Sequence, residues 1–592
     1  MYDFFLKINS SSNYNPYSDN DYYESRETET IYNHTEWSQL SGQIYDIKKS
    51  YLDNPENTIW IYGNIFLRQG CSIKPQIGSL LDNVLFDLNS NINIHSKYKG
   101  NYCIFCLYKK EKTTKIINSQ LGLSHIYYYH KSNEFYVGNN LNHFKYLGLN
   151  INMCSIYQKL LFTYVISDDT FISGVKRVRA GEMIEFSNGK LSKIKGYALE
   201  ELFGNSDKSK FSIDKYIYLF NNSVSDKANS DSNINVSFTG GFDGRTIISS
   251  LINSGKEVNA YSFGKYNGEN TRIPLVISEK IGISYSPVYL EEEYERNYVN
   301  DAKKAIYFSD GISFNERANY IYAFRKLSRK SRFVLSGLMG GETLRPIHLR
   351  TDYMNENYYQ IIYNNNNSLI KDYFSKSNIP SALMAQDENS INELYESVNE
   401  RQKEIGEFKK SDSGFLYYLY DLLSVGFRMY YGTEIHLERQ YCNNLTPYYD
   451  IDLLEYLFST DYTEVFRQAF KSGKIHRWGG QKIYARIIKS NFNYLNLYPV
   501  DRGYPPGYLL NPLKLPLIPY LYYRRKRNRV NHIDFDETKW SKLFLKDFIN
   551  NNYESSVFNN EALKVQTETN IRNNVHSSDF NRLLSLQTWL NQ

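Results

Sequence analysis

The stretch Ile234-Asn-Val-Ser-Phe-Thr239-Gly240-Gly241-Phe242-Asp243-Gly244-Arg245-Thr-Ile-Ile248 decides how this chain is read. Ile234, Val236 and Phe238 place apolar side chains at every second position, the period of a strand. Ile247, Ile248, Leu251 and Ile252 then recur at helical spacing, so a helix is predicted to begin near Asp243. Two glycines separate the two patterns. A strand, a glycine turn and a helix N-terminus together make an anion site. The turn exposes backbone N–H groups, and the helix dipole adds roughly half a positive charge. Glycine lets the backbone approach a phosphate with no Cβ in the way. No Gly-Lys-Ser/Thr follows, which excludes the lysine-containing phosphate loop.

Working outward, 592 residues predict two or more domains, each with its own core. A hydrophobic fraction of 41% and a charged fraction of 22% are ordinary for a globular protein. The net charge of +5 over this length carries no nucleic-acid footprint. The five cysteines do not make a disulfide scaffold. Cys103-Ile-Phe-Cys106 has metal-like spacing but sits in an apolar strand-like run, where residues three apart point to opposite faces. The run Met1–Lys7 is too short for a signal segment, and no stretch reaches the ~18 apolar residues of a membrane span. The expectation is a soluble, cytoplasmic protein with no membrane or nucleic-acid partner.

Residues 1–205 read as mostly β, with strands predicted at Thr58–Tyr62, Tyr102–Tyr108, Thr114–Asn118, His125–Tyr129 and Glu134–Gly138. Gly204–Lys210 is polar and reads as a linker. From Phe211 the pattern changes. Ile213, Tyr216, Ile217 and Phe220 fall at helical spacing. Strands at 234–238, 258–263, 285–290 and 333–336 then alternate with helices at 245–253, 272–281 and 320–327. That alternation predicts a parallel sheet, with ligands at the carboxyl ends of its strands. Thr239–Asp243, Ser262–Gly264 and Gly337–Glu342 are thereby expected on one rim. Residues 343–425 read as a helical insertion with Asn364–Asn367 as a loop, and 428–439 as a further helix.

Thr239-Gly-Gly-Phe-Asp243-Gly244 resembles the pyrophosphate loop, Ser-Gly-Gly-x-Asp-Ser, of the asparagine synthetase superfamily. That family includes β-lactam synthetase, carbapenam synthetase and the lasso-peptide cyclases. Thr239 keeps the hydroxyl of the first serine, and Gly244 loses that of the second. Thr446-Pro-Tyr-Tyr-Asp450 and Lys474–Tyr484 resemble later family segments in the right order. The strands following Tyr98 resemble the family's glutaminase domain. The resemblance implies an α/β protein of two parts. Residues 1–205 would be an Ntn-hydrolase-like, glutaminase-type αββα domain, and 206–592 an ATP-pyrophosphatase (adenine nucleotide α-hydrolase-like) parallel-sheet domain. Glutaminases of this type begin with a nucleophilic cysteine. Here Tyr2 stands at that position and the nearest cysteine is Cys71, which implies a degenerate domain without glutamine hydrolysis.

By the same resemblance, ATP and Mg2+ are the expected cofactors. ATP would be held by Val236, Ser237, Thr239, Gly240, Gly241, Asp243, Gly244, Ser262, Phe263, Gly264 and Gly337. Asp243 and Glu342 would ligate the metal. Glu342 fits the second ligand position of Ser336-Gly-Leu-Met-Gly-Gly-Glu342 if one residue is inserted, whereas an ungapped match puts Gly341 there. The family's C-terminal catalytic lysine has Arg502 as its counterpart in Tyr498–Pro506, with Asp501 nearer the lysine position. Arg245 is expected to reach phosphate or to face solvent. Arg524-Arg-Lys-Arg527-Asn-Arg529 reads as a solvated face, with a peptide or acidic surface as the alternative partner.

The implied activity is adenylation of a carboxylate followed by its coupling to an amine. Loss of the cysteine favours a specialised amide former that closes a macrolactam or a β-lactam ring. The substrate would be a small-molecule or peptide carboxylate. In the peptide case a precursor peptide and a leader-processing protein are expected partners. An asparagine synthetase using ammonia and a non-catalytic ATP-binding scaffold are the alternatives.

Overall fold

The computed structural model describes residues 3–9, 29–34, 38–44, 50–203, 208–229, 234–344, 354–376, 387–411, 417–462, 478–527, 535–551, 553–555, 557–573 and 577–592. Tyr2, the point 205/206 and Lys474–Arg477 lie outside these residues.

The N-terminal strands are β1 (Asp3–Ile8), β2 (Glu29–His34), β3 (Ser38–Ile44), β4 (Tyr51–Asp53), β5 (Asn57–Leu67), β6 (Tyr98–Tyr108), β7 (Thr113–Asn118), β8 (Tyr127–Lys131), β9 (Glu134–Gly138), β10 (Lys176–Arg177), β11 (Glu182–Ser187) and β12 (Lys190–Lys195). They form two antiparallel six-stranded sheets, ordered β10-β8-β9-β1-β3-β2 and β12-β11-β7-β6-β5-β4. Side-chain alternation explains how the sheets stack. Phe4, Leu6 and Ile8 of β1 meet Trp60, Tyr62 and Phe105 of the second sheet in one core. Phe5 of β1 points the other way, to Phe144 and the helix Met153–Phe162. The outer face of the second sheet is closed by Leu81, Val84 and Leu88 of the helix Leu80–Asn89. The result is a helix–sheet–sheet–helix stack. Cys103 and Cys106 lie on opposite faces of β6, in different cores.

The second half builds a five-stranded parallel sheet from β13 (Asn235–Ser237), β14 (Asn259–Gly264), β15 (Ser284–Tyr289), β16 (Phe333–Leu335) and β17 (Asn443–Leu445), ordered β15-β14-β13-β16-β17. In chain order this is third, second, first, fourth, fifth. The direction of winding therefore reverses between β13 and β16, and a crevice opens where their carboxyl ends part. The helix Phe242–Asn253 follows β13, and Trp478–Phe492 packs along it. Glu292–Phe308 pairs with Ala318–Leu327. Asn364–Asn367 lies between helical segments, as its composition predicts. Among the described residues no helix is long and apolar enough to cross a membrane.

The two halves share a charged seam. Buried Asp450 receives Lys227 at 2.8 Å and Lys99 of β6 at 3.2 Å, and its side chain caps the helix Ile451–Phe458. Burial alone would raise the Asp450 carboxyl, but the two ammonium groups win and hold it below the usual carboxylate range. Arg428 donates to Gly122 O at 2.8 Å and Val178 O at 2.7 Å, and Arg68 to Asp452 at 2.8 Å. Of the predicted linker, 204–207 lie outside the described residues, and Ser209 N donates to Ser459 O at 3.0 Å.

Candidate active site at the carboxyl end of the parallel sheet

β13 ends at Ser237, and the chain turns through Thr239–Gly241 into the helix Phe242–Asn253. Gly240 has φ +83°, the left-handed region that favours glycine, and its Cα sits against Ile273. Gly241 caps the helix without a side-chain hydrogen bond. The first turn is thus left to bind something other than its own cap. Gly244 has a different reason. A Cβ there would lie 2.2 Å from Ser237 O, so the helix start presses directly on the end of β13. This packing leaves no room for a side chain at position 244.

The turn after β16 lies across from this loop. A Cβ on Gly337 would be 2.5 Å from Asp243 Cβ, and one on Gly340 would be 2.7 Å from Asp243 Oδ1. Asp243 therefore rests against the glycines of this turn, at the switch point between β13 and β16. Tyr448 donates to Asp243 O at 3.2 Å from the other side. Met339 takes φ +65°, a strained value for a non-glycine residue. Glu342 follows in the first turn of the short helix Gly340–Leu344. Among the described residues no cluster of three or more His, Cys, Asp or Glu has metal-holding geometry. A magnesium ion needs no such cluster, since it is usually held by one or two carboxylates together with phosphate and water.

Arg245 requires a correction. It is fully buried, reaching neither phosphate nor solvent. Its Nη1 donates to Leu495 O (3.0 Å) and Tyr498 O (2.5 Å), and its Nη2 to Gly240 O (2.8 Å) and Pro499 O (3.0 Å). Burial lowers this guanidinium to about 9, with Asp501 opposing. Four carbonyl acceptors make Arg245 the clamp between the glycine turn and the loop that carries Arg502. That loop turns at Val500–Tyr504, where Val500 N donates to Tyr504 O at 3.0 Å. Tyr504 packs on Phe242 at 6.4 Å between ring centroids.

A cavity of about 310 Å³ opens at the rim, within the usual size of a small-ligand pocket. Of the residues singled out in the sequence, Ser237, Thr239, Ser262 and Phe263 line it together. Val236 is instead buried in the sheet, and Gly264 ends β14 in register with Tyr289. Arg502 and Glu342 are not among the lining residues. The Ser262 hydroxyl is occupied, held by Asn270 O at 2.5 Å and Tyr285 Oη at 2.7 Å. Phe263, Tyr320, Phe324, Phe535 and Trp540 give the cavity aromatic walls. Phe263 meets Tyr320 edge-on at 5.7 Å.

Two further groups carry no sequence signal. Arg317 pairs with Glu434 at 2.7 Å and donates to Tyr430 Oη at 2.8 Å. Burial disfavours its charge, but Glu434 and the phenols of Tyr430 and Tyr320 outweigh that. Glu438 lines the cavity, fully buried, and burial drives its carboxyl well up, with Glu434 adding to the shift against the Asn444 amide. A second cavity, of about 410 Å³, shares Glu316, Arg317 and Glu537 with the first. In the sandwich Cys103 and Cys106 are both buried, and burial raises their thiols, Cys106 to about 12.

No family model matches the chain. No curated protein matches it either. Among solved structures, it is similar to NMN synthetase from Francisella tularensis (16% identity, 23% of this chain, 58% of that one, TM-score 0.18). It is similar to the NH3-dependent NAD synthetase from Campylobacter jejuni (14% identity, 32% of this chain, 94% of that one, TM-score 0.18). A third is glutamine phosphoribosylpyrophosphate amidotransferase from B. subtilis (9% identity, 42% of this chain, 51% of that one, TM-score 0.17). The chain thus spans a little over half of the first and about half of the last.

Proposed function

We propose that the protein is an ATP-dependent carboxylate–amine ligase of the asparagine synthetase type. It adenylates a carboxylate with release of pyrophosphate, then passes the acyl group to an amine with release of AMP. The observation that carries this reading is the turn Thr239–Gly244. Within it Gly241 has nothing nearer to its Cβ position than Thr239 Oγ1 at 3.7 Å, and Ser237 and Thr239 face an aromatic-lined cavity at the switch point of a parallel sheet. In this reading the aromatic walls take the adenine, and Gly240 and Gly241 offer backbone N–H groups to the phosphates. Asp243 and Glu342 would hold Mg2+, which offsets the charge of the departing pyrophosphate.

Arg502 is proposed as the cation facing the acyl-adenylate, because Arg245 fastens its loop to the phosphate turn. Residues 1–205 are proposed as the glutaminase-like part and 206–592 as the synthetase part. Within this class we favour intramolecular ring closure, of a peptide with its leader-processing partner or of a small amino acid. A neighbouring precursor-peptide gene would decide for the peptide.

The test is ATP–pyrophosphate exchange dependent on an added acid, followed by AMP release dependent on an added amine. Asp243→Asn is expected to cut exchange by roughly 1000-fold or more, several kcal/mol of charge stabilisation, with the melting temperature unchanged. Exchange at the wild-type rate in this variant would place the metal elsewhere. Binding of ATP without exchange, over a broad panel of acids, would leave a nucleotide-binding scaffold.

A further inference from the structure

The 410 Å³ cavity joins the nucleotide cavity at Glu316, Arg317 and Glu537, and it has a chemistry of its own at the other end. There Lys159, from the last turns of the helix Met153–Phe162, faces the same space as Arg582 of the final helix, Ser578–Asn591. Lys159 is only 4% exposed. Its ammonium donates to Thr163 O at 2.8 Å and to Ile312 O, which uses two of its three donors. Among the described residues no carboxylate lies within ion-pair distance of it. The one charge it senses is Arg582, which repels it, and together with burial this drives the amine far below its ordinary value. Arg582 lies over the Phe314 ring at 5.5 Å and, among the described residues, pairs only with Asp579 of its own helix, whose side chain is mostly in solvent.

A charged Lys159 facing the same space as Arg582 in a low-dielectric wall costs free energy, so an anion joining them would favour the charged form. The nearby carboxylates do not serve. Glu434 is committed to Arg317, and Glu316 and Glu537 stand at the junction with the nucleotide cavity. The space is therefore polarised along its length, acidic at the junction and basic at the far end.

We propose that this cavity is a second ligand site, taking an organic carboxylate held by Lys159 and Arg582. The carboxylate accepts the third ammonium donor and the guanidinium N–H groups that Asp579 leaves over. Thr163 and Ser313 beside the cations supply neutral polar contacts to the body of the ligand. The site draws on both the sandwich half and the last helix of the chain, so it exists only when they are packed together. The inference stands on the cavity and its charges, without the ligase reading. If that reading holds, the ligand's other end lies at the junction beside the nucleotide.

Isothermal titration of the full-length protein without ATP tests it. The probes are glutarate, citrate and the acetylated dipeptide Glu-Gly, with glutaramide and acetylated Gln-Gly amide as uncharged counterparts. At least one anionic probe is expected to bind, its neutral counterpart much more weakly. Lys159→Met and Arg582→Gln are each expected to weaken binding about 10- to 100-fold, the loss of a charged hydrogen bond. Arg582 is close to the surface, so its variant keeps the test alive if Lys159→Met misfolds. A small acid and a peptide carboxylate are told apart by which probe binds tighter. The proposal is overturned if no anionic probe binds, if the neutral counterparts bind equally, or if Arg582→Gln binds as the wild type does. Pyrophosphate exchange is read separately. Its absence alongside Lys159-dependent binding sinks the ligase reading and leaves this site standing.

Discussion

At the carboxyl end of β13 the chain has taken side chains away. Gly240, Gly244, Gly337 and Gly340 let Ile273, the Ser237 carbonyl and Asp243 approach more closely than a side chain would allow. At the seam between the sandwich and the parallel sheet it has done the opposite. Lys99, Lys227, Asp450 and Arg428 are packed in dry, each beside an opposite charge or a carbonyl. The two regions fail in opposite ways. This glycine notch is sensitive to atoms added, and the seam to charges removed. The segment Thr446–Asp450 belongs to both, since Tyr448 touches the notch and Asp450 the seam.

The largest effect is expected at the seam. Asp450→Ala leaves Lys227 buried without its carboxylate and removes the cap of the helix Ile451–Phe458. Breaking a buried pair on one side costs about 3–5 kcal/mol, to be read by urea denaturation. The pH dependence follows in sign. The folded carboxyl sits below its unfolded value, so its contribution is complete above about pH 4 and fades as pH falls toward the folded value. Asp450→Ala is therefore expected to be flatter in acid than the wild type. An unchanged acid limb would show that the pair contributes nothing net.

Next comes the loop clamped by Arg245. Arg502→Ala is expected to slow amide formation about 100- to 1000-fold, or about 2.7–4 kcal/mol, with little change in KM for ATP. Arg502→Lys should recover part of the rate, since either cation stabilises charge with different geometry. Equal rates in all three proteins would move the catalytic cation to Arg317 or elsewhere.

Gly244→Ser introduces the serine of the motif that this turn resembles, and the packing predicts harm. The new Cβ would lie 2.2 Å from Ser237 O, a backbone atom that cannot swing aside. Overpacking of this kind costs about 1–3 kcal/mol and should weaken ATP binding along with the fold. Tighter ATP binding in this variant would mean that the missing hydroxyl, not the packing, governs the site.

The two regions also differ in how far sequence exposes them. The notch was legible because it is local. Alternation into Phe238, two glycines and helical spacing from Ile247 fall within fifteen residues and have one common solution. Of the twelve described sandwich strands, β5 to β9 were legible in the sequence, while β1 to β4 and β10 to β12 were not named from it. The seam and the cavity wall are long-range. Nothing near Arg317 announces Glu434, because the pair forms only when two distant helical segments meet. β17 escaped because Asn443-Asn-Leu445 has neither length nor period; only its place beside β16 makes it a strand. Arg245 was misread because helical position says which way a side chain points, not that the loop 495–499 comes back to cover it.

The smallest effect tests the link between the regions. Tyr448 is buried, packed between Phe220 and Tyr484, and its hydroxyl donates to the carbonyl of Asp243 at 3.2 Å. Two residues on, Asp450 anchors the same segment in the seam, and Pro447 O receives Ser223 Oγ at 2.8 Å. The seam thus holds the platform on which the start of the phosphate helix rests. Tyr448→Phe keeps the ring and its packing and removes only the hydroxyl. A neutral hydrogen bond contributes about 0.5–1.5 kcal/mol, so a drop of about 2- to 13-fold in kcat/KM for ATP is expected. If the segment carries strain from seam to notch, Asp450→Asn combined with Tyr448→Phe should lose less than the sum of the two, because the platform is already loose. Strict additivity in that cycle would make the notch and the seam independent, and Tyr448 a local prop of the helix start.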